Sequence, residues 1–194
     1  MKYQLVIAFL GMVSFLFPEQ TRAAIQSNKL KVTDTAVYIR KQFTAGNTAK
    51  LIDGSTDKLV GITNVDGNKF DAFRNLVITD ISVKYGKDAS ATDAAAIDYN
   101  ANAMPAALRN AELVVRQGSR VVVSMPLSTF EPGKNASPAS IGADAYSLKT
   151  WAVLVEGQPF TCNIEFANGA TIAGTDNHFV EVQFFGAETG SRVN

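Results

Sequence analysis

Glu112–Met125 reads ELVVRQGSRVVVSM, and this stretch decides the fold class. Two runs rich in β-branched residues, 112–116 and 120–125, flank Gln117-Gly118-Ser119. A glycine between two such runs supplies the positive φ that a tight antiparallel turn needs, so the pattern predicts a β-hairpin. A second hairpin is predicted from Lys149–Val155 and Phe160–Phe166, separated by Glu156-Gly157-Gln158-Pro159.

Working outward, period-two alternation recurs along most of the chain after residue 29, and this is the strand period. Leu30, Val32 and Asp34 alternate with Lys31, Thr33 and Thr35, and Val37 and Ile39 follow. Arg74–Tyr85 (RNLVITDISVKY) changes apolar parity between Ile78 and Ile81, which predicts either a bulge or a strand buried on both faces. His178–Phe185 (HFVEVQFF) reads as the last strand, with a short one at 170–173 before it. Turn chemistry at Asp53-Gly54 and Asp66-Gly67 brackets an apolar piece, 59–62. Lys87–Pro105 and Glu131–Ser147 read as long loops, with one helical turn open at 92–96.

No stretch after residue 24 sustains the 3.6-residue period of a crossover helix, which parallel α/β folds require. The expected fold is therefore all-β: an antiparallel two-sheet sandwich, jelly-roll-like, of seven or eight strands. An immunoglobulin-like sandwich fits the strand count almost as well but lacks the Cys…Trp…Cys pattern.

The first 23 residues differ in kind. Leu5–Phe17 (LVIAFLGMVSFLF) is apolar except for Gly11 and Ser14. As a helix it would reach roughly 20 Å, short of a hydrocarbon core of about 30 Å. A basic start, a short apolar stretch, Pro18 and then Thr21-Arg22-Ala23 form the pattern of a secretory signal cut after Ala23. The alternative is an uncleaved apolar helix seated on a neighbouring subunit, a lipid layer or its own domain. The domain reading is a signal peptide or uncleaved helix at 1–23 and one β-sandwich domain at 24–194. Membrane contact is expected only through residues 5–17.

Composition narrows the chemistry. Eighteen Lys+Arg balance eighteen Asp+Glu, so the basic excess that displaces counterions from phosphates is missing, and no sequence-specific nucleic-acid binding is expected. One Cys and one His exclude a disulfide framework and any metal site needing two Cys or two His ligands. Cys162 shares a strand face with Phe160, Ile164 and Phe166, the setting of a core thiol rather than a nucleophile. His178 starts a strand just after Asp176-Asn177 and reads as strand-edge or turn packing. A glycosidase needs two carboxylates facing each other across a cleft; Asp71, Asp80, Glu112, Glu165 and Glu181 sit on or near strands with no pair distinguished among them, and Glu112, Glu165 and Glu181 read as solvent-face residues. The Asp/Asn/Gly loops do not match the ligand spacing of a calcium loop and leave open only a discontinuous surface site. Asn135-Ala136-Ser137 matches a glycosylation acceptor.

The expectation is a protein that is no enzyme and carries no catalytic, cofactor or metal residues. Twelve Phe are present. Phe184 and Phe185 must face opposite sides of their strand, so one of them faces away from the core. Together with Phe70 and Phe73 they form the expected contact surface. The leading functional expectation is a structural subunit of a large assembly, such as a viral capsid or virion protein, a surface layer or a filament. Its partners would be copies of itself or other subunits, outside the cytoplasm. The alternative is an exported β-sandwich that binds a glycan or a cell-surface partner, with Trp151, Tyr146, Tyr99 and Tyr85 as stacking faces.

Overall fold

The computed structural model describes residues 2–27, 29–100, 102–131 and 144–191. The glycosylation tripeptide at Asn135 and most of the loop expected at 131–147 lie outside the described residues. The chain is mostly β. Its elements are α1 (Lys2–Met12), a 3-10 turn (Ser14–Leu16), α2 (Glu19–Gln26), β1 (Leu30–Phe43), β2 (Ala49–Ile52), β3 (Leu76–Asp88), a 3-10 turn (Ala94–Ala96), α3 (Ala106–Arg109), β4 (Glu112–Gln117), β5 (Arg120–Pro126), a 3-10 turn (Leu127–Phe130), β6 (Tyr146–Leu154), β7 (Phe160–Glu165) and β8 (Asn177–Ser191).

The strands form two antiparallel four-stranded sheets, ordered β1-β8-β3-β6 and β2-β7-β4-β5. β1 pairs β8, β2 pairs β7, β3 pairs β6 and β4 pairs β5, so each strand meets its mirror in the sequence. Residues from all eight strands meet in one buried cluster, including Val37, Leu51, Ile81, Leu113, Val123, Leu154, Cys162 and Val182.

The β4–β5 hairpin forms as expected, with Gln117 opposite Arg120 and Gly118 at φ 58°. The second expected hairpin does not form: β6 belongs to one sheet and β7 to the other, so Val155–Pro159 is a corner that carries the chain between sheets. A Gly-bearing turn looks the same locally in both cases. The corner is fixed instead from outside, by the buried Gln117 side chain. Its amide nitrogen donates to the carbonyls of Val155 and Gln158, and its amide oxygen accepts from Val155 N–H. Three smaller expectations also change. No strand forms at 170–173, β2 forms inside a stretch that reads as turns, and 59–62 contributes only one isolated bridge, from Leu59 to Thr63.

The parity change in β3 reflects both causes anticipated for it. The register shifts between Ile78 and Asp80 against both neighbours, and the strand is buried on both faces. Before the bulge Leu76 and Ile78 face the core; after it Ile81, Val83 and Tyr85 do. Gly186 of β8 lies beside this bulge, and a Cβ there would overlap the Val77 carbonyl oxygen. Only glycine admits the strands this closely.

Candidate functional site: the covered outer face of one sheet

The outer faces of the two sheets differ. On β2-β7-β4-β5 the outward positions carry Lys50, Asn163, Glu165, Glu112, Arg116 and Ser124, a mostly polar face that also includes the buried Val114 and the exposed Val121. On β1-β8-β3-β6 an apolar strip crosses all four strands: Leu30 and Val32 of β1, Ala187 of β8, Val77 of β3, and Val153 with Trp151 of β6, continued by Val155. α1 and α2 lie on this strip as a third layer. Val6, Leu10, Phe17 and Ile25 bury their side chains there, and the Phe9 ring meets Trp151 edge-on at 5.6 Å.

The seat is apolar beneath α1 and polar beneath α2. Thr21 Oγ1 donates to Glu156 Oε1, and Phe73 N–H donates to Glu156 Oε2. Asn75 Oδ1 accepts from Glu156 N–H, and Thr189 Oγ1 accepts from Asn75 N–H and donates to the Phe73 carbonyl. Thr21, Asn75, Glu156 and Thr189 are all buried. Each hydrogen bond offsets the cost of taking its groups out of water. The same bonds hold Phe73 at φ 65°, a left-handed conformation that a bulky residue adopts only under constraint. A cavity of about 510 Å³ opens beside them, lined by Pro18, Thr21, Lys69, Phe73 and Glu156 among others.

α1 is apolar on its other side too. Leu5, Met12 and, just beyond the helix, Phe15 are 55%, 72% and 73% exposed. A helix that is hydrophobic all round is normally buried all round. Here one side is seated and the other has no covering within the described chain.

No family model, curated protein or solved structure matches this chain.

The contact residues expected from sequence separate into two groups. Phe184 and Phe70 lie in the core shared by the sheets, so neither offers surface. Phe73 and Phe185 are half-buried. Phe73 packs against the N-terminal layer, and Phe185 is the outward partner of Phe184 on β8. The sequence reading missed the surface of α1, because a signal-like segment carries no cue to where its helix would sit.

The side chains weighed for chemistry lie apart. Cys162 is buried in the core, and burial pushes its thiol up to about 12. His178 Nδ1 and the Tyr85 hydroxyl are 2.8 Å apart, and the imidazole packs near the rings of Tyr85 and Phe43. Burial holds this imidazole below its usual value, against the opposing charge of Asp176. Asp176 itself pairs with Lys87 at 2.7 Å. Asp80 accepts from Ser147 and Thr79, Glu165 lies 3.8 Å from Arg116 and opposite Glu112, and Asp71 lines the cavity beside Phe73. Among the described residues no group of three or more His, Cys, Asp or Glu is arranged to hold a metal ion.

Glu181 departs from its expected solvent-face role. It does point outward from β8, but it is only 3% exposed, because the segment 94–99 folds over this end of the sheet. Arg40 Nε pairs with Glu181 Oε2 at 2.5 Å, while the guanidinium sits over the rings of Tyr38 and Tyr99 and donates to the Gly61 carbonyl. Period-two alternation gives the face a side chain takes, not what lies on that face. Gly86 allows this approach, since a Cβ there would overlap Ile97. The expected stacking faces are similarly occupied: Tyr85 and Tyr99 are buried, Tyr146 packs on Phe130, and Trp151 lies under Phe9. Among the described residues no helix is long and apolar enough to cross a membrane.

Proposed function

We propose that this chain is a non-enzymatic structural subunit of a large assembly, a virion, surface-layer or filament protein that works outside the cytoplasm. The observation that carries this reading is the two-sided apolar helix α1. Its inner side fills the strip on β1-β8-β3-β6, and its outer side presents Leu5, Met12 and Phe15. Contiguous exposed apolar surface of this kind marks an interaction site. The mirror pairing of eight strands supports a jelly-roll reading, an architecture used by capsid and lectin domains among others. The fold alone does not choose between those uses.

On this reading residues 1–23 are retained. Light scattering on the full-length chain tests the proposal. Masses at multiples of 20.8 kDa are expected, and a monomer across a wide concentration range overturns it.

One observation favours the alternative, an exported module that binds a glycan. Tyr85, Tyr99, Asn100, Asn102 and Glu131 line a cavity of about 550 Å³ beside the covered end of the same sheet. Amide and carboxylate groups around one cavity suit the hydroxyls of a sugar. A glycan array separates the two readings, since specific binding by a chain that starts at Ala24 favours the module.

A further inference from the structure

We infer that the turn at 71–74 is a two-state element thrown by the N-terminal layer. With α2 seated, Glu156 holds Phe73 left-handed; with α2 lifted, Phe73 relaxes and the turn changes shape. The inference stands beside either functional reading and rests on neither.

Among the described residues Phe73 is the one non-glycine at positive φ, at 65°. A bulky side chain makes that conformation costly, and it persists only where the surroundings over-determine it. Its N–H donates to Glu156 Oε2, while Glu156 Oε1 accepts from Thr21 Oγ1 of α2. One carboxylate therefore joins the strained amide to the helix. Thr21 and Glu156 are both buried. Among the described residues no cationic side chain pairs with Glu156, so these neutral donors are what orient its carboxylate.

Both ends of the turn are pinned by the sheets. Phe70 stacks on Phe160 at 5.1 Å, and its carbonyl accepts from Gly157 N–H at 2.9 Å. Asn75 N–H donates to Thr189 Oγ1 at 3.0 Å, and its carbonyl accepts from Thr189 N–H at 2.9 Å. Thr189 Oγ1 also donates to the Phe73 carbonyl at 2.7 Å. A change of φ at residue 73 therefore falls on the Ala72–Phe73 peptide and leaves the strands in place. Hinges work in this way, with a few residues at the end of an element absorbing the dihedral change. The cavity of about 510 Å³ beside Phe73 gives the moving peptide room.

Lifting α2 removes the Thr21 hydroxyl and opens Glu156 to water, which competes for its oxygens. It also uncovers the Phe73 ring, which packs against the N-terminal layer. Two constraints on residue 73 are lost in one event, and the balance between its conformations shifts accordingly. Pro18, Gln20 and Thr21 form one wall of the cavity, and Lys69–Phe73 form another. A chain whose layer has lifted, or been cut after Ala23, presents a different surface here from one whose layer is seated.

The test follows residue 73 by NMR in the full-length chain. Positive φ brings an amide proton close to its own Hα, so the wild type is expected to show a strong contact within residue 73 and a slowly exchanging amide. Thr21→Val removes the hydroxyl. Ile25→Ala loosens α2 at a buried apolar contact that makes no hydrogen bond to Glu156. Each substitution is expected to weaken the contact and speed exchange of the Phe73 amide by roughly tenfold or more, while the amides of β3 and β8 keep their protection. A residue 73 that keeps its contact and its slow exchange in the Thr21→Val/Ile25→Ala double variant overturns the inference. So does a wild-type chain with negative φ there. Equal acceleration at residue 73 and throughout β3 and β8 also overturns it, because that pattern is global unfolding alone.

Discussion

Leu10→Ala probes the docking of α1 onto its sheet. Leu10 is 0% exposed and packs with Val6, Phe17, Leu30, Val77 and Val153. Truncating a buried leucine to alanine costs about 2–5 kcal/mol, the lost transfer free energy plus a term for the cavity. α1 forms a surface layer that can settle into part of the gap, so the lower half of that range applies, about 2–3 kcal/mol. For a chain of this size each kcal/mol shifts Tm by about 2–4 °C, so the expected drop is roughly 4–12 °C. Gln4→Ala on the same helix is the control. Gln4 is exposed, and its replacement should stay within about 0.5 kcal/mol of wild type. Urea unfolding at a protein concentration that keeps chains apart measures both variants, and equal m-values show that the same surface is exposed on unfolding. Hydrogen exchange adds a local readout: amides in 7–13 should lose protection in Leu10→Ala before those of β3 and β8. Indistinguishable stabilities for Leu10→Ala and Gln4→Ala, with exchange unchanged, would refute a docked third layer.

Three further outcomes follow from the packing. Arg40→Leu strands the buried Glu181 carboxylate and should cost about 3–5 kcal/mol, whereas the Arg40→Leu/Glu181→Leu double variant should regain most of it; additive losses in a double-mutant cycle would exclude the pair. Gly186→Ala drives a methyl into the Val77 carbonyl at the β3 bulge and should cost about 3 kcal/mol or prevent folding, so a variant that melts like wild type would place the bulge elsewhere. His178 has its folded pKa lowered, chiefly by burial, so the unfolded chain binds the proton more readily. Its destabilising effect is therefore absent well above the ordinary value of about 6.5, grows as pH falls through that value, and levels off below the folded pKa. An NMR titration of the imidazole with a midpoint above 6.5 would reverse the sign.

Period-two alternation made much of the sandwich legible, because half-buried strands must place every second side chain inward. β4 and β5 were clear for this reason, and so was the first part of β8. The extension of β8 through Gly186–Ser191 was not legible, since Gly186, Glu188, Thr189 and Gly190 look like a polar tail. Thr189 belongs to the strand because it bonds Asn75 and Phe73, contacts more than a hundred residues away in sequence. β2 is four residues set among turn residues, too short to show a period. The corner at 155–159 carried a hairpin's local signal and was redirected by Gln117 and Glu156. Glu181 and α1 failed for one shared reason: an outward-facing position is recognisable from sequence, but the layer that covers it is not.

Native mass spectrometry of the full-length protein, isolated from the cells that make it, decides whether this chain is an assembled subunit. One spectrum reads both the state of the N-terminus and the number of copies. Chains that retain residues 1–23 and occur as multiples of 20.8 kDa are expected. A single copy beginning at Ala24 would contradict that expectation.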